Sequence, residues 1–170
     1  MPNTTTAVTM KGNPVTLIGK EIEIGQTAPD ATLVTNDLSS FKLSSLKGKK
    51  IILSVVPSLD TGICDLQTKR FNKEAAALGD KVMILTISMD LPFAQKRWCG
   101  ATGSDKVKTL SDHRDASFGE SYGVLIKGLR LLTRAIFIVD TNFKIAYKQI
   151  VPEITTEPNY DDVLKAVKKI

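Results

Sequence analysis

Ile51-Ile52-Leu53-Ser54-Val55-Val56-Pro57-Ser58-Leu59-Asp60-Thr61-Gly62-Ile63-Cys64 is the stretch on which the fold turns. Its first six residues form a nearly unbroken apolar run, the pattern of a strand buried on both faces. Pro57 cannot continue a central ladder because it has no N–H to donate. Asp60-Thr61-Gly62 carries turn chemistry, and a helix is expected from there to about Leu78. Phe71, Ala75 and Leu78 share one face of that helix, and Gly79 is its stop. Strand, loop and helix thus follow directly, with Cys64 in the first helical turn.

Downstream, Lys81 to Met89 reads as a second central strand, and Pro92 opens a short helix reaching about Trp98 and Cys99. Ala135 to Val139 and Lys144 to Ile150 flank Asp140-Thr141-Asn142-Phe143 as an antiparallel hairpin. Pro158 is expected to start a last helix with Val163, Leu164, Val167 and Ile170 on one face. Lys165, Lys168 and Lys169 lie at its C-terminal end, where the helix dipole favours cations. Upstream, Ala31 to Thr35 is a short strand candidate. Ala7 to Lys11 and Val15 to Ile18 flank Gly12-Asn13-Pro14 as a small hairpin covering one end. This order predicts a thioredoxin-like α/β fold with an added N-terminal β-hairpin.

A chain of 170 residues can bury a substantial core. We expect one domain over residues 1–170, with a core at 18–170 and the hairpin at 1–18. No repeat or linker interrupts it; the loosest stretches are the first few residues and Gly100 to Ser104. With 42% hydrophobic and 24% charged residues, the composition is that of a globular protein, and no apolar run is long enough to span a bilayer. The net charge of +5 comes from basic residues scattered among 18 acids, and only 6% of residues are aromatic, so neither a nucleic acid nor a membrane is an expected partner. Met1 to Met10 is polar and lacks the basic flank and apolar stretch of a secretory signal, which predicts a cytoplasmic protein. Two cysteines are too few for a disulfide scaffold, and in a reducing compartment a redox use is the better expectation.

At a helix N-terminus, unpaired N–H groups and the macrodipole favour an anion, and a thiolate is one. Ionisation alone gains at most a factor of roughly ten to thirty, so a thiolate nucleophile also needs fixed donors aimed at the charge its attack displaces. Thr61, three residues before Cys64, is placed to offer a hydroxyl. Arg134, directly before the apolar run from Ala135, is the best candidate guanidinium, because its planar fork can hold a sulfur and an oxygen together. Pro57 fixes the backbone and shields the cysteine. Plainer readings stand beside each of these: Cys64 as a small buried hydrophobe, Thr61 as a helix cap, Arg134 paired with Asp140.

Pro57, Thr61 and Cys64, with three and then two residues between them, match the active-site pattern of the peroxiredoxins, and this chain resembles that family. Val56 to Cys64, Asp90-Leu91-Pro92-Phe93-Ala94-Gln95 with Arg97-Trp98-Cys99-Gly100, and Glu153-Ile154-Thr155-Thr156-Glu157-Pro158 narrow the likeness to its bacterial thiol peroxidase branch. The resemblance covers nearly the whole chain. It implies an atypical two-cysteine peroxiredoxin with Cys64 as the peroxidatic and Cys99 as the resolving cysteine, and with Pro57, Thr61 and Arg134 shaping the peroxide site. It further implies no metal or other cofactor, recycling by thioredoxin, alkyl hydroperoxides and hydrogen peroxide as substrates, antioxidant defence, and a homodimer.

Cys64 and Cys99 do not form a C-x-x-C pair, and a disulfide needs Cα atoms within about 7 Å, so local unwinding around both is expected after Cys64 is oxidised. Gly100-Ala101-Thr102-Gly103 should ease that opening. A cysteine hydrolase would need a histidine base, and the sole histidine, His113, reads as a surface loop residue. The non-enzymatic rival is a thioredoxin-fold binding or redox-sensing module, which would oxidise without multiple turnovers.

Overall fold

The computed structural model describes residues 3, 6–102 and 107–170. Its centre is the expected strand, here β6 (Lys50–Val55), in which every residue from Ile51 to Val55 is buried. Among the described residues it is accompanied by β1 (Val8–Met10), β2 (Asn13–Val15), β3 (Leu17–Ile18), β4 (Thr32–Val34), β5 (Ser40–Lys42), β7 (Val82–Ser88), β8 (Lys108–Ser111), β9 (Leu125–Ile126) and β10 (Ala135–Val139). The last strand is β11 (Ile145–Ile150). The main sheet has seven strands in the order β11-β10-β6-β7-β8-β4-β5. Strands β6, β7 and β8 run parallel, and β10 returns antiparallel beside β6.

Side chains alternate across a strand, and the two faces of this sheet pack against different helices. Ile51, Leu53 and Val55 with Phe137 and Val139 face Phe118 and Tyr122, which belong to or follow α3 (Ser117–Ser121). Ile52, Ile136 and Ile138 face Phe71 of α1 (Gly62–Leu78) and Val163 and Val167 of α4 (Tyr160–Lys168). Phe71 has no exposed surface, so truncating it to alanine should cost about 3–5 kcal/mol. Ser54 and Arg134 share the parity of Ile52 and Ile136. The alternation therefore delivers both to the face that α1 covers.

The helix ends follow local chemistry. Gly79 stops α1 at a φ of 73°, which costs a residue without Cβ little. The last helix starts two residues later than its proline predicts: Asn159 is the cap, and its side chain accepts from the Asp162 N–H at 3.1 Å. The second helix, α2 (Pro92–Thr102), runs one turn further than expected. Gly100 to Thr102 are therefore helical, while Gly103 and Ser104 of the anticipated loose stretch lie outside the described residues.

Two further differences from the sequence reading have physical reasons. The N-terminal hairpin is tighter than expected, with Val8 opposite Val15, and Leu17–Ile18 leaves it to pair with β9. Gly19 sits at the exit with a φ of 111°, where a Cβ would fall 2.2 Å from the Glu120 carbonyl oxygen; only glycine lets the two backbones approach this closely. Strand β8 reads as polar, yet it is an inner strand whose Thr109, Leu110 and Ser111 are buried. Its hydroxyls are satisfied internally, Thr109 Oγ1 donating to Asn36 Oδ1 at 3.1 Å and Ser111 Oγ to the Asp90 carbonyl. A polar strand can be buried when each hydroxyl finds a partner. Among the described residues, no helix is long and apolar enough to cross a membrane.

Candidate active site

The N-terminus of α1 lies at the C-terminal end of β6, and Cys64 sits there with no exposed surface. Thr61 is the cap. Its Oγ1 accepts from the Cys64 N–H at 3.4 Å and donates its single proton to the Ser58 carbonyl at 3.1 Å. The capping reading of Thr61 therefore describes this conformation, with its hydroxyl on the Cys64 N–H and its proton engaged. Pro57 is buried in the loop entering the helix. Val56, Leu59 and Trp98 close over Cys64, with Cys99 packed partly against the same cluster.

Arg134 is 2% exposed and enters this site from the residue before β10. Its three nitrogens donate to three different acceptors: Nε to the Ile154 carbonyl at 2.8 Å, Nη1 to Gln67 Oε1 at 2.9 Å, and Nη2 to Cys64 Sγ at 3.2 Å. Asp140, the alternative partner, instead accepts from the N–H groups of Asn142 and Lys144. A buried guanidinium that meets only a carbonyl and an amide oxygen has its charge uncompensated, and such a charge is costly. The remaining acceptor is the Cys64 sulfur.

Two residues of this arrangement escaped the sequence reading. Gln67, fully buried one turn after Cys64, receives Arg134 on its oxygen and donates its Nε2 to Ser54 Oγ at 2.8 Å. The guanidinium is thereby fixed from β6 through α1. The signals were available: a lone serine in an apolar strand, and a glutamine on the same helix face as the cysteine at i+3.

Cys99 stands in α2, half-buried, with Sγ 3.5 Å from Thr109 Oγ1. It also borders a groove of about 940 Å³ lined by Asn36, Ala75, Met83 and Thr109 among others. Both cysteines are free thiols. The helices that carry them are linked by Trp98 Nε1, which donates to Asp65 Oδ1 at 2.7 Å, and by an exposed ion pair between Arg97 and Asp60 at 3.2 Å.

The strongly perturbed acids lie away from the thiols. Burial pushes the Asp112 carboxyl up to about 6, opposed by hydrogen bonds from the N–H groups of Gly119 and Phe118. Glu153 is held down at about 2 by the Thr155 hydroxyl and the Gly12 N–H, and so pins the hairpin turn next to Ile154, the carbonyl partner of Arg134. His113 is more engaged than a surface loop residue, since its Nδ1 lies 2.9 Å from Ser111 Oγ. Among the described residues no group of three or more His, Cys, Asp or Glu side chains is placed to hold a metal.

A thioredoxin-like sheet presenting a buried thiol at a helix N-terminus, with a guanidinium on the sulfur, defines a thiol-based oxidoreductase. The Redoxin family matches residues 23–164. A thiol peroxidase of Bacillus subtilis is 58% identical over 96% of this chain and 97% of its own length, and one of Oceanobacillus iheyensis is 57% identical over 95% and 98%. The crystal structure of a peroxiredoxin-like protein from Aquifex aeolicus superimposes with a TM-score of 0.91 at 46% identity, covering 97% of both chains. The chain belongs to the Redoxin family and, within it, to the thiol peroxidases of the peroxiredoxin type.

Proposed function

We propose that this peroxidase works through Cys64 as the attacking thiolate and Cys99 as the resolving thiol, with Arg134, Thr61 and Pro57 shaping the peroxide site. The observation that carries the reading is the 3.2 Å contact from Arg134 Nη2 to Cys64 Sγ, made by a buried cation with no other anionic partner among the described ion pairs. The Cys64 sulfur donates an electron pair to the terminal oxygen of a hydroperoxide. The O–O bond breaks, and the departing alkoxide or hydroxide takes up a proton to leave as alcohol or water. Sulfur is oxidised to a sulfenic acid and the peroxide is reduced. Arg134 is placed to follow the charge from sulfur to oxygen, the kind of preorganised stabilisation that supplies most of the acceleration in such reactions.

Because Cys64 is sealed by Leu59 and Trp98, substrate entry requires those side chains to move. The Cys99 thiolate then attacks the sulfenic sulfur, an S–S bond forms, and hydroxide leaves as water. Thioredoxin returns the disulfide to two thiols by exchange. On this reading the enzyme needs no prosthetic group and acts as a single domain over residues 1–170. It reduces hydrogen peroxide and alkyl hydroperoxides in cytoplasmic antioxidant defence as a homodimer.

The test treats the reduced protein with one equivalent of an organic hydroperoxide, blocks free thiols, and maps the peptides by mass spectrometry. A loss of two hydrogens with a Cys64 to Cys99 link is the expected result. Two alkylated cysteines would sink the assignment.

A further inference from the structure

The segment from Pro57 to Thr61 leads into the helix that bears Cys64, yet it belongs to no strand. Two side chains outside it hold it: Arg97, through the exposed pair with Asp60, and Asp90. Asp90 Oδ1 accepts from Ser58 Oγ at 2.6 Å, and Oδ2 accepts from the Leu59 N–H at 2.8 Å and from Ser88 Oγ at 2.7 Å. Asp90 itself stands two residues before Pro92, the first residue of the helix that bears Cys99. Its own carbonyl is held by Ser111 Oγ, and Ser88 Oγ is held in turn by Gln95 Nε2 at 3.1 Å. One carboxylate therefore joins the entry to the first cysteine helix with the entry to the second. Hydrogen bonds to an ionised acceptor are roughly twice as strong as neutral ones, so this junction outweighs the exposed pair between Arg97 and Asp60.

We propose that Asp90 is a positioning residue of the peroxidase cycle: it clamps Ser58 and Leu59 over Cys64 for attack on the peroxide, and its release frees the same loop for disulfide formation. The inference rests on the roles assigned to Cys64 and Cys99 above. Leu59, whose N–H Asp90 holds, is 3% exposed and part of the cover over Cys64. Ser58, whose hydroxyl Asp90 holds, presents the carbonyl that receives the Thr61 proton. The clamp thus fixes both the cover and the cap. The two half-reactions place opposite demands on it: oxidation needs the loop backbone held, so that only the Leu59 and Trp98 side chains turn aside for the peroxide, and resolution needs that backbone released. Loosening the clamp should slow the first and speed the second, a split that general destabilisation does not produce.

The full-length reduced protein, its Asp90→Asn variant and its Ser58→Ala variant are mixed with tert-butyl hydroperoxide in a stopped-flow instrument that records Trp98 emission. Asn at position 90 cannot accept all three bonds; Ala at position 58 removes one and leaves Leu59 held. For D90N the peroxide-dependent rate constant should fall about tenfold to hundredfold, and the peroxide-independent phase should accelerate about threefold or more. S58A should move both in the same directions by less, and it decides the matter if D90N does not fold. Constants unchanged in the variants, or falling in parallel, overturn the role of Asp90 while a two-phase wild-type trace leaves the peroxidase reading standing. A wild-type protein that gives no peroxide-dependent phase removes that reading and this inference together.

Discussion

The two cysteines occupy contrasting ground. Around Cys64 nearly every polar atom has a named partner: the cap of Thr61, the fork of Arg134, the relay through Gln67 to Ser54. Around Cys99 the described residues offer one weak polar contact, to Thr109, with partial packing on the Cys64 cluster, a half-buried side chain and a bordering groove. A sulfur that must carry and pass on negative charge needs fixed dipoles, whereas a sulfur that must travel to its partner is served by few attachments. On the proposed roles, Cys64 is the thiol held in place and Cys99 the one that travels.

The comparison is broken most directly by exchanging the sulfurs. Cys64→Ser should abolish peroxide consumption, by at least about a thousandfold, because serine is a poor nucleophile at neutral pH. Cys99→Ser should still reduce one equivalent of peroxide and then stall with thioredoxin, and a second equivalent should carry the Cys64 sulfenic acid on to sulfinic acid. Peroxide assays and intact mass separate the two; equal losses would erase the distinction. Next in size, Arg134→Gln should lower the rate of Cys64 oxidation by about 10²–10³, the usual cost of removing one preorganised donor. Arg134→Lys should recover only part of it, since an ammonium cannot reach Ile154, Gln67 and Cys64 at once.

A smaller effect sharpens the picture of the support beneath Cys64. Gln67→Leu keeps the volume but leaves Arg134 Nη1 and Ser54 Oγ without their partner. Stability should fall by about 1–3 kcal/mol in urea unfolding, and Cys64 should oxidise about tenfold more slowly. A variant with full activity would show that Arg134 holds itself in place.

The smallest prediction concerns the Cys99 side, where Asp112 directly follows β8. Its folded value of about 6 lies above its ordinary 3.8, so the stability it contributes is complete below pH 3.8 and is lost as pH rises through about 6. Between pH 4 and 7 the wild type should lose about 2 kcal/mol relative to Asp112→Asn, measured by urea unfolding across that range. Glu153 acts with the opposite sign: its depressed value means its contribution is present above about 4.5 and lost as pH falls toward about 2.

How much of this was legible in the sequence follows from periodicity. The apolar run at Ile51 to Val56, the helix Gly62–Leu78 and the hairpin around Asp140 announce themselves, because long apolar patterns survive many tertiary settings. Strand β8 and the short elements β5, α3 and β9 do not. Thr109 and Ser111 are buried only because distant Asn36 and Asp90 satisfy them, and no local pattern carries that information. The site divides in the same way. The spacing of Pro57, Thr61 and Cys64 is local, whereas Gln67, Ser54 and Asp90 become visible only when strand parity and loop contacts are known.

The closed cover over Cys64 also has a kinetic meaning. The rate at which the sulfur meets an oxidant is its intrinsic reactivity multiplied by the fraction of time that Leu59 and Trp98 stand aside. Cooling, viscous solvent or a stiffening osmolyte will therefore slow oxidation with the sulfur chemistry untouched. Bulky alkylating reagents will be sieved out more strongly than small peroxides, so the same thiol is reactive toward one molecule and silent toward another.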